Sequence, residues 1–299
     1  MARILYGTPI KEKIKEELKI RVKKLEKEPI LAIIQVGDRE DSNVYIKQKQ
    51  KFGGEIGIKV VLNKFVNISE EELESEIKKL NKDKNIDGII VQLPLPKNLN
   101  TQKIINTVSV KKDADGLVSK MPFDSCSKKG IFDIDTVLAT ARGVMALLDF
   151  YQIEIKNKKV AVIGQGILAG IPIAIEMEKK GAEVFRCDIN TKNIPEITKG
   201  CDILISAVGK PGLITKEFIN ERQVVVDVGI NKTSPPTHLL EAGERSGQTK
   251  TSLPKLVGDV NYAEVEPLVY AITPVPGGIG PLTVSCLFQN LLDLIISQD

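Results

Sequence analysis

Val160-Ala161-Val162-Ile163-Gly164-Gln165-Gly166 decides the fold. An apolar strand of mostly β-branched residues runs straight into a glycine turn. Residues Ile167 to Lys180 then read as a helix with Gly170 in its first turn. This order opens a dinucleotide-binding βαβ unit. Without a Cβ, the glycines permit the tight turn and let backbone N–H groups approach a pyrophosphate at the helix N-terminus. The spacing is the GxGxxxG variant, and a turn that needs glycine only to fold satisfies it equally. The surroundings add weight. Glu183 to Cys187 forms the next strand, followed by Asp188 and Ile189. Asp188 falls close to the ~20-residue offset of a carboxylate on a ribose 2′-hydroxyl. The same side chain in the same place can instead cap a turn. Two more apolar strands, Ile203 to Val208 and Val224 to Val228, lead into Gly209 and Gly229-Ile230. Small residues there lie where a nucleotide would cross the sheet edge. Gly164, Gln165, Gly166, Asp188, Ile189, Val208, Gly209 and Ile230 are therefore the candidate dinucleotide-binding residues.

Upstream, the same rhythm repeats. Thr8 and Pro9 suit the cap and first position of a helix, and Ile10, Ile14, Leu18, Val22 and Leu25 keep helical spacing. Ile30 to Val36 is a nearly continuous apolar run, with only Gln35 polar, as in a strand buried on both faces. A helix from Ser42 to about Phe52 and a strand from Val60 to Phe65 follow. Ser69 and Glu72 then form a capping box, and Gly88 to Gln92 is a strand closed by Pro94 and Pro96. Ser119 to Gly130 is polar and irregular. A helix from about Asp135 to Tyr151 leads into the glycine turn. Ser234 to Thr251 reads as a loop, Ala271 to Thr273 as a last short strand, and a C-terminal helix begins near Thr283. Strands separated by helices imply a mostly parallel α/β architecture.

Composition narrows the function. The chain has 299 residues, enough for about two domains, with 42% hydrophobic residues for a sizeable core. Its 42 basic and 39 acidic side chains leave a net charge of +3, too balanced for a nucleic-acid binder. The run from Lys11 to Lys27 is interleaved with glutamate and reads as a solvated helix face. No export signal is evident, and Gln289, Asn290 and Asp293 interrupt the apolar stretch from Leu282 to Ile296. The cysteines, Cys126, Cys187, Cys201 and Cys286, form no CxxC pair, which argues against a zinc site or a disulfide framework. No metal is expected, and a reducing cytoplasm is the simplest location. The single histidine, His238, lies in a polar loop, so histidine-dependent triads and His-rich metal sites are disfavoured. Acid–base chemistry here must rest on Lys, Asp, Tyr or a cofactor.

Tyr45 and Lys49 are four residues apart on a predicted helix and share a face. A ring beside an ammonium can sandwich a flat substrate, although a packed tyrosine beside a surface lysine has the same spacing. Further segments occur in order with this pair: Val91-Gln92-Leu93-Pro94-Leu95-Pro96, Lys112-Asp113-Ala114-Asp115-Gly116, Val208-Gly209-Lys210-Pro211-Gly212, Asp227-Val228-Gly229-Ile230-Asn231, Gly258-Asp259-Val260 and Thr273-Pro274-Val275-Pro276-Gly277-Gly278-Ile279-Gly280-Pro281. Together they closely resemble the bifunctional methylenetetrahydrofolate dehydrogenase/methenyltetrahydrofolate cyclohydrolase family, over nearly the whole chain. The resemblance implies an N-terminal α/β substrate domain (1–139, completed by 275–299), a Rossmann-type dinucleotide-binding domain (140–274), a cleft between them and a homodimer. It implies that the enzyme oxidises 5,10-methylenetetrahydrofolate with NAD or NADP and hydrolyses the methenyl product to 10-formyltetrahydrofolate. Lys49 matches the family's essential lysine, Gln92 the glutamine that bonds it, and Asp115 the aspartate that grips the pterin. Tyr45 matches the stacking tyrosine, and Pro276, Gly277, Gly278 and Pro281 match the loop that passes the folate.

The chain departs from the family in two places. The segment usually written PCTP, then a basic residue and glycine, is Leu138-Ala139-Thr140-Ala141-Arg142-Gly143, and the loss of its prolines is expected to extend the helix. The turn's usual arginine is replaced by Gln165, and a frequent basic residue after the second strand falls at Asn190, beside Asp188. The family default is NADP. A carboxylate near a 2′-phosphate repels it, so the local sequence leans to NAD, while Arg186 and Lys192 offer charges that favour NADP. A monofunctional member, a non-catalytic folate- or nucleotide-binding protein and a two-domain dehydrogenase similar to shikimate dehydrogenase are the competing readings. The last is disfavoured by the Gln92–Pro96 and Pro274–Pro281 segments, and the binder by the joint presence of Tyr45, Lys49, Gln92 and Asp115.

Overall fold

The computed structural model describes residues 1–118, 137–233 and 255–298. The expected irregular segment 119–130, the loop 234–251 with His238, and Cys126 lie outside them. In chain order the elements are β1 (Arg3–Ile4), α1 (Thr8–Val22), β2 (Ile30–Val36), α2 (Glu40–Ile56), β3 (Lys59–Phe65), α3 (Glu70–Lys82), β4 (Gly88–Val91), α4 (Thr101–Thr107) and α5 (Ala139–Phe150). There follow β5 (Lys159–Ile163), α6 (Gly170–Lys179), β6 (Glu183–Cys187), α7 (Ile194–Lys199), β7 (Ile203–Ser206), β8 (Val224–Asp227), β9 (Asn231–Thr233), β10 (Lys255–Val257), α8 (Tyr262–Val265), β11 (Ala271–Ile272) and α9 (Gly280–Ile296). None of the described helices is long and apolar enough to cross a membrane.

The chain divides into two compact units. One comprises Pro9–Gly143 and Leu282–Asp299, the other Met1–Thr8 and Val144–Pro281. These boundaries differ from the expected ones at both ends of the chain. Residues 1–8 belong with the glycine-turn unit because β1 pairs in parallel with β11. Residues 275–281 also belong there, so the N-terminal unit takes up only the helical stretch from Leu282 onward.

The N-terminal unit is built on a parallel sheet of order β3-β2-β4. Strand β2 pairs on both sides and is buried along nearly its whole length, which explains a run that is apolar except for Gln35. Ala32, Ile34 and Val36 pack with Leu73 and Ile77 of α3 and Ile104 and Ile105 of α4. In α2, Phe52 meets Phe288 of α9, ring centroids 5.4 Å apart. The Ser69–Glu72 capping box forms with both of its hydrogen bonds.

The glycine-turn unit carries a sheet of order β1-β11-β8-β7-β5-β6, in which every pairing is parallel. From β5 the chain moves outward to β6 and then returns to β7 on the other side. The Gly164 turn therefore sits at the point where strand order reverses, the usual ligand position in an open α/β sheet.

Candidate active site

In the N-terminal unit, α2 presents Tyr45 and Lys49. The helix carries Glu40 and Asp41 in its first turn and stops at Gly57, whose φ of 82° places it in the left-handed region. Near its start, Asn43 accepts from the buried Gln35 amide at 2.7 Å and donates to Asp38 at 2.8 Å, which fixes the helix on the end of β2. Lys49 Nζ donates to Gln92 Oε1 at 3.0 Å. Gln92 follows β4, where its backbone N–H donates to Ile34 O at 2.8 Å and its side-chain Nε2 to Leu93 O at 2.9 Å. That second bond commits the amide nitrogen to a carbonyl, so only the amide oxygen can face the lysine. Burial pushes the Lys49 amine below its ordinary value, and the negative charge of Asp115 opposes the shift. Burial raises the Asp115 carboxyl, and Lys49 opposes that. Each group restrains the neutralisation of the other, and both remain partly open to solvent. Tyr45, one helical turn before Lys49 on α2, is 36% exposed.

The loop bearing Asp115 is shaped by Asp113, whose role the sequence did not suggest. Asp113 Oδ1 accepts from Gly116 N at 3.0 Å and Oδ2 from Val118 N at 2.6 Å. Its backbone also bridges to Ile89 of β4. Burial pushes this carboxyl up to about 6, against the pull of those donors.

In the glycine-turn unit, Gly164 has φ +90°, and a Cβ there would lie 2.4 Å from Ala207 O. A Cβ on Gly170 would lie 1.8 Å from Gly164 O. A Cβ on Gly166 meets nothing within 4 Å. The three glycines thus divide into two that close the turn and one that leaves space above it. The helix begins at Gly170 rather than Ile167, because residues 167–169 form a turn. No described backbone acceptor engages the N–H groups of Gln165, Gly166, Ile167 or Leu168. The Gln165 side chain folds back on its own turn, donating to Val162 O at 2.9 Å and Gly164 O at 3.2 Å.

Asp188 adopts the capping geometry that the sequence left as its alternative. Its Oδ1 accepts from Asn190 N at 2.9 Å and Thr191 Oγ1 at 3.0 Å. The Thr191 and Asn190 hydrogen bonds hold its carboxyl below the usual range. Arg186 is engaged by Glu178 through Nε at 3.1 Å and Nη2 at 2.8 Å. Ile189 is 98% exposed, and Val208 and Ile230 are also exposed at their strand ends. Gly209 sits in the left-handed region at φ 73°.

Behind the strand ends lies a buried pair of carboxylates. Asp259 Oδ2 accepts from Ser206 Oγ at 3.0 Å, Val208 N at 2.7 Å and Gly209 N at 3.1 Å. Its Oδ1 accepts from Lys210 N at 2.9 Å and Asn231 Nδ2 at 3.1 Å. Asp227 accepts from Gly229, Asp259 and Val260 N–H groups at 2.9, 3.0 and 2.8 Å. A Cβ on Gly229 would meet Asp259 Oδ1 at 2.1 Å, and one on Gly258 would meet Asp227 Oδ2 at 1.9 Å. Each carboxylate thus sits in space that a glycine leaves open. Burial pushes Asp227 up to about 6, and the neighbouring Asp259 adds to the rise.

Pro276, Gly277, Gly278 and Pro281 belong to the glycine-turn unit, whereas Tyr45, Lys49, Gln92 and Asp115 belong to the N-terminal unit. Gly277 O accepts from Gly7 N at 2.8 Å, which ties its loop to the segment after β1. No cluster of three or more metal-ligating side chains occurs among the described residues.

Residues 5–115 match the tetrahydrofolate dehydrogenase/cyclohydrolase catalytic domain, and residues 138–299 match the NAD(P)-binding domain of the same name. The chain belongs to the tetrahydrofolate dehydrogenase/cyclohydrolase family. It is 37% identical over 299 residues to a bifunctional protein FolD of Acholeplasma laidlawii, with 99% of each chain covered. It is similar to the crystal structure of a bifunctional FolD methylenetetrahydrofolate dehydrogenase/cyclohydrolase from Campylobacter jejuni, at 34% identity and TM-score 0.85 over 100% of both chains. A Trypanosoma brucei methylenetetrahydrofolate dehydrogenase-cyclohydrolase, solved with NADP and an inhibitor, is 31% identical at TM-score 0.85, with 99% of this chain and 98% of that chain covered.

In this member of the tetrahydrofolate dehydrogenase/cyclohydrolase family, the departing segment falls at a helix start. Leu138 precedes α5 and Ala141 lies in its first turn. N–H groups there have no intrahelical acceptor, so proline is tolerated at either position and its loss does not account for the helix. The Ala139 N–H instead donates to Asp115 O at 3.4 Å.

Proposed function

We propose that this enzyme oxidises 5,10-methylenetetrahydrofolate to 5,10-methenyltetrahydrofolate with a nicotinamide dinucleotide and hydrolyses the methenyl compound to 10-formyltetrahydrofolate. The observation that carries the reading is Lys49, an amine held by Gln92 at 3.0 Å and pushed by burial toward its neutral form. Such an amine can exchange protons near neutral pH. In this reading Lys49 handles the protons of the hydrolytic step, and Gln92 orients its amine. Tyr45 stacks on the flat aromatic portion of the folate. Asp115 offers two acceptor oxygens to parallel N–H donors on the pterin edge, a bidentate and charge-assisted arrangement. Pro276, Gly277, Gly278 and Pro281 are assigned to the backbone that passes the folate. When bound, the nicotinamide accepts the hydride from the methylene carbon.

The residues of the glycine turn fit a dinucleotide. Gly166 leaves open space beside N–H groups with no backbone acceptor, a match for pyrophosphate oxygens. Val208 and Ile230 supply exposed apolar surface at the strand ends for flat rings. Gly166→Ala should leave the melting temperature unchanged and weaken dinucleotide affinity. Gly170→Ala should lower the melting temperature by about 5 °C or more, since a steric clash with backbone costs about 2 kcal/mol. Thermal melts and fluorescence titration with the reduced dinucleotide separate the two effects. Equal behaviour of the variants would refute the division of roles.

For cofactor choice we favour NAD. Asp188 holds a carboxylate at the end of β6, and the nearby Arg186 is already paired with Glu178. A 2′-phosphate would meet the charge it is repelled by, without a free guanidinium. We also infer a homodimer from the family resemblance, to be checked by sedimentation.

One experiment tests function and cofactor together. The purified protein is mixed with 5,10-methylenetetrahydrofolate and NAD or NADP, and ultraviolet spectra are followed. Reduced nicotinamide with little methenyl absorbance supports both activities, and a faster trace with NAD supports the cofactor reading. Accumulating methenyl compound would restrict the enzyme to oxidation and direct attention to Ala139, which touches the Asp115 backbone. No change with either cofactor, and no hydrolysis of added methenyl compound, would overturn the reading.

A further inference from the structure

The loop that carries Asp115 is held from behind by one side chain of α9. Asn290 is 1% exposed among apolar neighbours on that helix. Its Nδ2 donates to Ala114 O at 3.1 Å and to Val137 O at 2.8 Å. Its Oδ1 accepts from Arg142 Nη1 at 2.8 Å. A guanidinium has no acceptor and a carbonyl has no donor, so a single orientation of the amide satisfies all three contacts. Arg142 is itself fixed by Asp293 Oδ2 at 2.6 Å, whose other oxygen accepts from Arg21 Nη2 at 2.6 Å. The Ala114 carbonyl belongs to the peptide that joins Ala114 to Asp115. Its direction therefore fixes the positions of Asp115 N and Cα, from which the side chain departs. Val137 lies just ahead of Ala139, whose N–H meets Asp115 O. Asn290 thus ties together the two segments that meet at Asp115.

We propose that Asn290 is a positioning residue for Asp115, with Arg142 setting the orientation of its amide. This rests on the reading of Asp115 as a folate-binding carboxylate, and the first variant tests that reading alone. Asp115→Asn should lower kcat/KM for methylenetetrahydrofolate. If it does not, the role of Asp115 fails and this inference with it. Asn290→Asp preserves side-chain shape and the Arg142 contact but turns an acceptor toward two carbonyls. It should lower kcat/KM about tenfold, through two lost hydrogen bonds. The loss should fall in KM for the folate, with KM for the dinucleotide within about twofold of the parent. The double variant Asn290→Asp/Asp115→Asn should be no worse than Asp115→Asn, because Asn290 acts through that carboxylate. Additive losses, or equal rises in both KM values, would show a general structural role and overturn the proposal. If Asn290→Asp does not fold, Arg142→Met removes the donor that anchors the amide oxygen and should give a smaller loss with the same split. Parent-like kinetics in that variant would then overturn it.

Discussion

Lys49→Met should slow hydrolysis of the methenyl compound by about 10²- to 10⁴-fold, the usual contribution of a positioned acid–base group. Oxidation should suffer less, so methenyl absorbance accumulates where the parent enzyme shows little. The argument starts from burial, which holds the amine below the ordinary lysine range, while Asp115 pulls the other way. The proton-accepting form therefore becomes populated at a lower pH than for a free lysine, and hydrolysis should rise as pH passes through that lowered value. Asp115→Asn removes the opposing charge, so the rising limb should move to still lower pH. A profile that stayed in place would separate Asp115 from the lysine's titration. Stability has its own sign. Because the folded value lies below the unfolded one, the unfolded chain binds more protons between them, and stability rises with pH across that interval. The cost of holding the ammonium is full below the folded value and vanishes above the ordinary one. Lys49→Met should therefore melt no lower than the parent at neutral pH, with any advantage shrinking under alkaline conditions. Loss of both activity and melting temperature would mean that Lys49 supports the fold instead.

Asp259→Ala should lower stability by about 3–5 kcal/mol, which corresponds to a melting temperature lower by about 10 °C or more. The carboxylate collects five donors, from Ser206, Val208, Gly209, Lys210 and Asn231. The alanine variant leaves these donors without their acceptor, with the Ser206 hydroxyl fully buried and the others partly so. Part of the loss is offset, since Asp227 ionises more readily once its charged neighbour is gone. Asp259→Asn should fall between the two, because one oxygen survives while the amide nitrogen faces N–H groups. Both variants should also weaken dinucleotide binding, because the backbone from Val208 to Lys210 loses what shapes it. Scanning calorimetry together with titration of the reduced dinucleotide measures both effects. A parent-like melt for Asp259→Ala would remove the carboxylate from any role in shaping that loop.

The features legible in the sequence are those whose cause is local or repetitive. Burial of β2 on both faces shows as a run that is apolar except for Gln35, and the Ser69–Glu72 box closes within one helical turn. The Gly164 turn is legible because a left-handed residue and a close strand contact both call for glycine. The start of α6 is not legible because Ile167 and Leu168 are helix-compatible residues in an exposed turn, which closes on Gly166 O through the Ala169 and Ile171 N–H groups. Strand β1 was invisible, since two residues become a strand only by pairing with β11 at the far end of the chain. Helix α4 had a readable signal in Asn100, which accepts from Lys103 N at 3.0 Å as an N-cap. The Lys49–Gln92 contact was anticipated through family resemblance, and nothing in the spacing of the two residues would have supplied it. The roles of Asp113 and Asp259 have no local signal, because their donors are backbone N–H groups and, for Asp259, the Ser206 and Asn231 side chains, brought to them by folding. Asn290 carries a sign in the sequence but no address: an amide inside an apolar helix must find partners, and here they lie 176 and 153 residues away.

That distance bears on how the protein is made. The ribosome releases the sheet of the N-terminal unit early, yet Phe288 and Asn290 emerge only after the whole glycine-turn unit has been synthesised. Until then Phe52 lacks its ring partner and the Ala114 carbonyl lacks its donor. The nascent chain must therefore carry an unfinished first unit through most of its synthesis, a state with exposed apolar surface that chaperones bind. Premature termination a few codons before Phe288 would yield a polypeptide with its glycine turn encoded in full and an Asp115 loop that never receives its support from Asn290.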